Sequence, residues 1–366
     1  MVTIKKKVAI IGTNGIPAKY GGFETLAEYL AIYLNSEFEI IVYCSKTKKD
    51  KKLKKYHNSK LVYIPFKANG WQSMIYDAIS ILHALCTSDV LVILGFSGVF
   101  AFPMKLLFRK KIIFNIGGIE WQKVRGKKAF AVIEIATKKW FERICLRFSD
   151  IIIVDNQVLW NYVKSTYNIN SVLIEYGGDH AVFKPVTNEL ISKYPFLINK
   201  YDFSVSRAQE DMNIHMLIEA YKKIPERNLV IVSNWEISDY GMQLKEKNKA
   251  KYENIFLLDA IYNLDELNVL RSNGSIYFHT HSLCGTAPSL VEAMYLGIPI
   301  LCYDVETNRS TTEGKSFYFK DSSSLIEILA KIKKETLSQL GRDMKEIAQR
   351  RYTWKRITNL YFNCIN

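Results

Sequence analysis

No run of about 18 apolar residues, the length a membrane-spanning helix needs, occurs in the 366-residue sequence, so a transmembrane anchor is not expected. Its six cysteines (Cys44, Cys86, Cys145, Cys284, Cys302, Cys364) are scattered, with no CxxC pair. That spacing argues against a disulfide framework or a zinc-finger-type site and fits reduced thiols in a cytosolic protein. The first residues run from a lysine triplet straight into a strand-like stretch without a small-residue cleavage site, so no secretory signal is expected. The glycines of the first loop fall at 12, 15, 21 and 22, which is not the dinucleotide spacing GxGxxG, and no GK[ST] of a Walker loop occurs. No D-x-D metal signature is present, no internal repeat and no low-complexity tract.

The length exceeds one ordinary hydrophobic core, which makes two domains the natural expectation. Hydrophobic residues at 48% and charged residues at 23% fit a soluble globular chain. The net charge of +14 is uneven: residues 1–180 hold 26 Lys and Arg against 14 Asp and Glu, residues 181–366 hold 24 against 22. The first half therefore either faces something anionic or presents a solvated basic surface, as the lysines of residues 46–55 do most simply.

KVAIIG at residues 7–12 reads as a buried parallel strand ended by glycine, and residues 23–34 then place apolar side chains at helical spacing. Strand-like runs recur at 39–43, 61–64, 90–94, 111–115 and 150–154, with helical patterns between most of them, as at 74–86 and 129–148. The alternation restarts with strands at 203–206, 228–232, 255–258, 276–279 and 298–303 and helices at 212–223, 264–272 and 288–296. The fold class is therefore α/β, with two doubly wound Rossmann-like domains, expected at 1–180 and 181–345, and a C-terminal helix at 346–366. The join is expected within residues 177–201, where YGGD, Pro185 and Pro195 break the pattern.

Ligands of such sheets sit beyond the carboxyl ends of the strands, so the informative loops are those at 12–22, 116–126, 207–213 and 280–288. In the first, Gly21 and Gly22 precede a helix. They either let the backbone and its unpaired N–H groups approach a diphosphate or serve turn geometry alone. In the third, Arg207 follows a strand directly; it is either a phosphate ligand or a surface arginine paired with Glu210 or Asp211. In the fourth, small residues lead to Pro288 at a helix start. Glu292, one turn in, can accept both hydroxyls of a ribose or be an ordinary first-turn acid favoured by the helix dipole. Both Arg207 and Glu292 are expected to face a cleft, so that replacing either spares folding.

These residues carry a family resemblance. IGTNGIPAKYGGFET at residues 11–25 resembles the opening motif IGTxGIPAxYGGFET of the bacterial polysaccharide rhamnosyltransferase group within glycosyltransferase family 4. HSLCGTAPSLVEAM at 281–294 resembles that group's HSxGGTNPSLVEAM, and NRSTTEG at 308–314 its NRxTTEG. The matches run from residue 8 to about 318. The resemblance implies the GT-B fold, a C-terminal helix crossing back to the first domain, and transfer with retention. The first domain would serve the acceptor and the second would bind a nucleotide-sugar donor. It implies that Gly21 and Gly22 approach the donor diphosphate, that Arg207 contacts it, that Glu292 holds the ribose, and that Gly285, Thr286 and Ser289 line the donor sugar and phosphate. Glu120, in NIGGIEW after the strand at 111–115, can touch a sugar or serve as an ion-pair partner. His281 can contact a sugar hydroxyl or be a satisfied buried histidine.

The chain departs from the wider family twice. The first of two glutamates eight positions apart falls on Cys284, and the lysine that usually follows the arginine falls near Met212. The expected function is transfer of a sugar, rhamnose from a dTDP-activated donor, onto a growing lipid-linked cell-surface polysaccharide. No covalent nucleophile or glycosidase-like carboxylate pair is evident, so front-face attack is expected, without cofactor or essential metal. Rival readings are another nucleotide-sugar donor, an NAD-dependent oxidoreductase, and a non-catalytic basic binding module. The expected partners are a nucleotide-sugar, a glycan acceptor and an anionic membrane surface, and not nucleic acid. SGVFAFPMKLLFRKK at 97–111 sets apolar side chains beside cations, either as a membrane-docking segment or as an interior helix with a basic end. The expected location is the cytoplasmic side of the cell membrane.

Overall fold

The computed structural model describes residues 5–18, 21–45, 53–96, 98–119, 128–249 and 251–366. Glu120, most of the lysine run at 46–55 and the basic residues at 123–127 lie outside them. The chain forms two units: Met1–Glu175 together with Trp354–Asn366, and Tyr176–Thr353. The division thus falls ahead of the YGGD turn.

The first unit is built on an eight-stranded sheet: β1 (Lys7–Ile11), β2 (Glu39–Ser45), β3 (Lys55–Tyr56), β4 (Ser59–Ile64), β5 (Val90–Leu94), β6 (Lys111–Ile116), β7 (Ile151–Val154) and β8 (Val172–Leu173). Its order is β3-β4-β2-β1-β5-β6-β7-β8, and every pair is parallel except the β3–β4 edge. Val8 to Ile11 are all buried, as are Val90 to Leu94. Continuous apolar runs rather than alternation are what a sheet covered on both faces demands. The cover comes from α1 (Gly22–Leu34), α2 (Gln72–Thr87), α3 (Lys105–Phe108), α4 (Lys128–Arg147) and α5 (Gln157–Tyr167). In α1 the buried side chains Leu26, Ala27, Leu30, Ala31 and Leu34 keep the three-four spacing of one helix face.

The second unit holds α6 (Asn188–Lys193), β9 (Tyr201–Val205), α7 (Ile214–Tyr221), β10 (Asn228–Val232), α8 (Asp239–Asn248), β11 (Ile255–Leu258), α9 (Leu264–Ser272), β12 (Tyr277–His279), α10 (Pro288–Leu296), β13 (Ile300–Tyr303), α11 (Glu306–Thr311), β14 (Phe317–Phe319), α12 (Ser322–Lys331) and α13 (Lys334–Arg351). Its sheet runs β11-β10-β9-β12-β13-β14, all parallel. Counted from β9 this is 3-2-1-4-5-6, the Rossmann order, whose switch point lies between β9 and β12.

The last helix, α14 (Trp354–Ile365), belongs to the first unit. It begins at Trp354; residues 346–351 complete α13 instead. The Trp354 ring stacks on Tyr29 of α1 with centroids 4.2 Å apart and planes 5° from parallel. Asn115 Nδ2, at the end of β6, donates to the Tyr361 hydroxyl at 2.6 Å.

Candidate functional site

In the second unit the switch point brings two loops together. Residues 206–213 leave β9, and residues 280–287 leave β12 for α10. Ser282 donates to the Asp211 carbonyl through both its N–H and its hydroxyl, each at 2.9 Å. Asn213 Nδ2 donates to the Thr280 carbonyl at 3.0 Å, and the Thr280 hydroxyl donates to the Met212 carbonyl. A third element fixes the same loop: Asn308 of α11, 1% exposed, donates through Nδ2 to the His281 carbonyl at 3.1 Å. The asparagine of NRSTTEG is thus a positioning residue for the loop after β12. Glu313 of that motif accepts from Arg350 and Arg351 at the end of α13.

Arg207 stands at the start of the first loop. It is exposed and has no ion-pair partner among the described residues, neither Glu210 nor Asp211. An unpaired guanidinium at the switch point is free to receive an anion. After the second loop α10 begins at Pro288, behind an N-cap residue, Ala287, that offers no side-chain acceptor. Gly285 and Thr286 are buried ahead of it, and Ser289 is half-buried in its first turn.

Glu292 differs from the sequence reading. It is buried at 9% exposure and lies past the first turn of α10. Its Oε2 meets Arg271 Nη2 at 2.5 Å, and its Oε1 meets His180 Nε2 at 2.9 Å. Burial pushes the carboxyl up, but Arg271 and His180 together outweigh this and hold it below the usual carboxylate range. The expectation that Glu292 can be removed without harm to folding is therefore overturned, because its loss would strand the Arg271 guanidinium, itself 2% exposed. Each carboxylate oxygen keeps a second lone pair, so a ribose hydroxyl can still be accepted.

Neither Arg271 nor His180 is found by motif reading. Arg271 carried a signal: it falls on the buried face of α9 beside Asn268, Val269 and Leu270, where a lone arginine needs a partner. His180 sits in the YGGDH turn, expected as a join. Gly178 of that turn lies so close to α10 that a Cβ would come within 2.5 Å of the Val291 carbonyl oxygen. The glycine permits the contact that brings His180 to Glu292.

His279 closes β12 and His281 follows it. His279 is buried, and burial pushes its imidazole down to about 3. His281 is held well below the ordinary histidine value by burial first, then by His279 and Arg207. Both rings are therefore neutral at physiological pH, and His281 can act as donor or acceptor but not as a cation.

In the first unit Gly21 is the N-cap of α1, with φ +95°, and a Cβ there would come within 2.3 Å of Glu24 Oε2. Glu24 in turn accepts from the N–H and the side chain of Asn14, at 2.9 and 3.0 Å. Gly21 therefore meets a turn requirement, which leaves its approach to a ligand open. Gly22 opens the helix itself, where no side chain caps the first N–H groups. Among the expected membrane-docking residues, Phe102 is interior, whereas Phe100, Leu106 and Leu107 are exposed, the last at 73%. Trp140, Val132 and Ile133 of α4 are exposed too, and the Phe100 and Trp140 rings lie 6.2 Å apart. Lys105 pairs with Asp150 at 2.5 Å and Lys110 with Asp89 at 3.8 Å, so fewer cations are left beside this surface than the sequence suggests. Among the described residues no helix is long and apolar enough to cross a membrane. A shallow cavity of about 480 Å³ beyond β11 is lined by Lys193, Tyr194, Asp259, Tyr262 and Glu266, and none of the expected site residues reaches it.

The chain as a whole overlays on solved structures. The sucrose-phosphate synthase of Thermosynechococcus elongatus overlays with a TM-score of 0.81 at 15% identity, covering 99% of this chain and 98% of that one. HepE of Anabaena, in complex with UDP and glucose, overlays at 0.74 with 14% identity, covering 98% and 99%. OtsA overlays at 0.72 with 10% identity, covering 99% of each chain. The fold is that of the GT-B glycosyltransferases. No curated protein sequence matches the chain. Residues 5–179 match the family described as Domain of unknown function (DUF1972). Residues 195–351, which hold Arg207, Arg271, His281 and Glu292, match the family described as Glycosyl transferases group 1. That region is thus a domain of the Glycosyl transferases group 1 type.

Proposed function

We propose that this protein is a retaining hexosyltransferase that moves rhamnose from dTDP-rhamnose onto a growing lipid-linked cell-surface polysaccharide. Support for the donor site comes from an exposed Arg207 on the loop after β9 with no ion pair among the described residues, together with an α10 start whose N-cap Ala287 has no side-chain acceptor and a Glu292 carboxylate fixed by Arg271 and His180. Arg207 and the Ser289 N–H would receive the diphosphate, and Glu292, held by Arg271 and His180, the ribose. The solved HepE relative binds UDP and glucose, which supports a nucleotide-sugar donor here. The rhamnose assignment rests on the resemblance at residues 11–25, 281–294 and 308–314.

In the proposed reaction the acceptor hydroxyl oxygen bonds to the anomeric carbon from the face the diphosphate leaves. The bond from that carbon to the phosphate oxygen breaks, and the departing oxygen takes the acceptor proton. The chain's part is to hold both partners and to stabilise charge on the leaving group. His281 contacts a sugar hydroxyl. Glu120 is a candidate for the acceptor or donor sugar, and Gly21 and Gly22 for approach to the diphosphate.

The first unit is proposed to serve the acceptor, docking on an anionic membrane from the cytoplasmic side. The exposed Phe100, Leu106, Leu107 and Trp140 and the excess of basic residues in the first half favour this over a soluble acceptor. The test of the donor is a panel of nucleotide-sugars read by thermal shift and by product formation. dTDP-rhamnose should give the largest shift and be turned over. A larger response to another nucleotide-sugar would replace the sugar assignment, and a response to NAD alone would replace the enzyme class.

A further inference from the structure

Three ligand-type side chains converge where β12 ends. His279 closes the strand, His281 follows two positions on, and Cys284 comes back from the loop. Their ligating atoms, one from each, all lie within 4.8 Å of one another. The two imidazoles are in contact, with centroids 4.0 Å apart and planes tilted by 45°. A two-residue step returns side chains to the same side of an extended chain, and the small-residue turn after it lets Cys284 close the third corner.

His279 gives this cluster its meaning. It is 1% exposed, and neither Nδ1 nor Nε2 has a hydrogen-bond partner among the described residues. Leaving a buried polar group unmet is unfavourable, and here both nitrogens of one ring are unmet among the described residues, in a loop otherwise closely hydrogen-bonded through Thr280, Ser282 and Asn308. At the position of Cys284 the wider family has a glutamate and the resembled motif a glycine, so this chain sets a sulfur beside two ring nitrogens where neither pattern has one.

We propose that His279, His281 and Cys284 form a binding site for a Zn²⁺ ion. Two imidazoles and a thiolate suit a borderline-soft cation and not Mg²⁺ or Ca²⁺, which prefer oxygen ligands. Three protein ligands leave the fourth tetrahedral position open to water or to an oxygen of a bound molecule. Arg207, close enough to act on His281, opposes a cation here; the thiolate, which loses its proton on binding the metal, offsets one charge. The ion would tie the loop to the strand end and take a ring nitrogen that His281 otherwise offers to a sugar. It is an ion of the loop, distinct from the D-x-D type of metal, and its binding can be measured without any donor or acceptor.

The test uses the full chain, stripped with a chelator and titrated with Zn²⁺ against a chromophoric competitor, with Mg²⁺ as control. The expected result is one Zn²⁺ per chain and no Mg²⁺. Cys284→Ser should weaken Zn²⁺ binding by at least the ~10–100-fold that even an outer-shell loss costs. His279→Phe, which keeps a buried ring, should do the same. Cys284 lies in a half-buried loop, so Cys284→Ser carries the test if the His279 variant fails to fold. Co²⁺ in place of Zn²⁺ should give the intense visible bands of a tetrahedral site with a thiolate charge-transfer band, lost in Cys284→Ser. Absence of stoichiometric Zn²⁺ binding overturns the proposal. So does binding unchanged in Cys284→Ser but abolished by Cys86→Ser, which would place the ion on the exposed thiol of α2.

Discussion

Arg271 of α9 and Glu292 of α10 form a buried ion pair, Nη2 to Oε2 at 2.5 Å, with the guanidinium 2% exposed. Removing one partner of such a pair leaves the other charged and desolvated. Arg271→Ala and Glu292→Ala should therefore each lower stability by about 3–5 kcal/mol in urea unfolding. If either is neutral, the pair is not formed in solution.

Gly178 should be intolerant of a side chain for a reason apart from turn geometry. Gly178→Ala sets a methyl against the backbone at Val291 and Glu292 and must push the YGGD turn away from α10. We expect a loss of about 1–3 kcal/mol, as for overpacked cores, together with weaker nucleotide binding as His180 is displaced from Glu292. An unfolding midpoint and a nucleotide affinity both equal to wild type would show that the turn yields freely.

Two buried carboxyls set opposite pH trends. Glu292 is depressed in the fold, so its contribution to stability is present above the unfolded carboxylate value. It is lost as pH falls through the lower folded value. Asp77 of α2 is pushed up by burial from 3.8 to about 8. The folded state keeps a proton the unfolded chain releases, so this contribution is full below about pH 4 and declines as pH rises towards 8. The slope for one group is at most about 1.4 kcal/mol per pH unit. Asp77→Asn should flatten stability between pH 4 and 8 and raise it at pH 8. A slope unchanged in that variant would contradict a protonated Asp77.

The exposed apolar surface of the first unit should matter only at a membrane. Replacing Leu106 and Leu107 by Ser should leave the melting temperature and nucleotide binding unchanged, because both side chains face solvent. It should reduce sedimentation with anionic vesicles. Wild-type sedimentation should fall as salt shortens the screening length towards 8–10 Å. Equal binding of wild type to neutral and anionic vesicles would end the membrane assignment.

Both parallel sheets were legible because strands covered on both faces are written as unbroken apolar runs. The strands at 90–94, 228–232 and 255–258 and the helices at 264–272 and 288–296 have the bounds their patterns predict. The short edge strands β3, β8 and β14 were missed, since two or three residues at a sheet edge carry no periodicity. The loops at the switch point were legible from strand ends and helix-start chemistry, and Arg207 sits where that reasoning puts it. What holds Glu292 was not legible. The pairing with Arg271 and His180 joins residues 21 and 112 positions from Glu292, and only the folded chain brings them together. Gly21 reads the same in sequence whether it serves a ligand or a turn; the folded chain adds the turn requirement set by its φ of +95° and by Glu24.

The central claim is that the second unit binds a nucleotide-sugar at Arg207. Calorimetric titration of dTDP-rhamnose into wild type and Arg207→Ala tests it most directly. Arg207 is exposed and makes no ion pair among the described residues, so the variant should melt with wild type. Its affinity should nonetheless drop about 10–100-fold, the worth of a charge-assisted hydrogen bond. Equal affinities for the two proteins, with equal melting temperatures, would contradict the assignment.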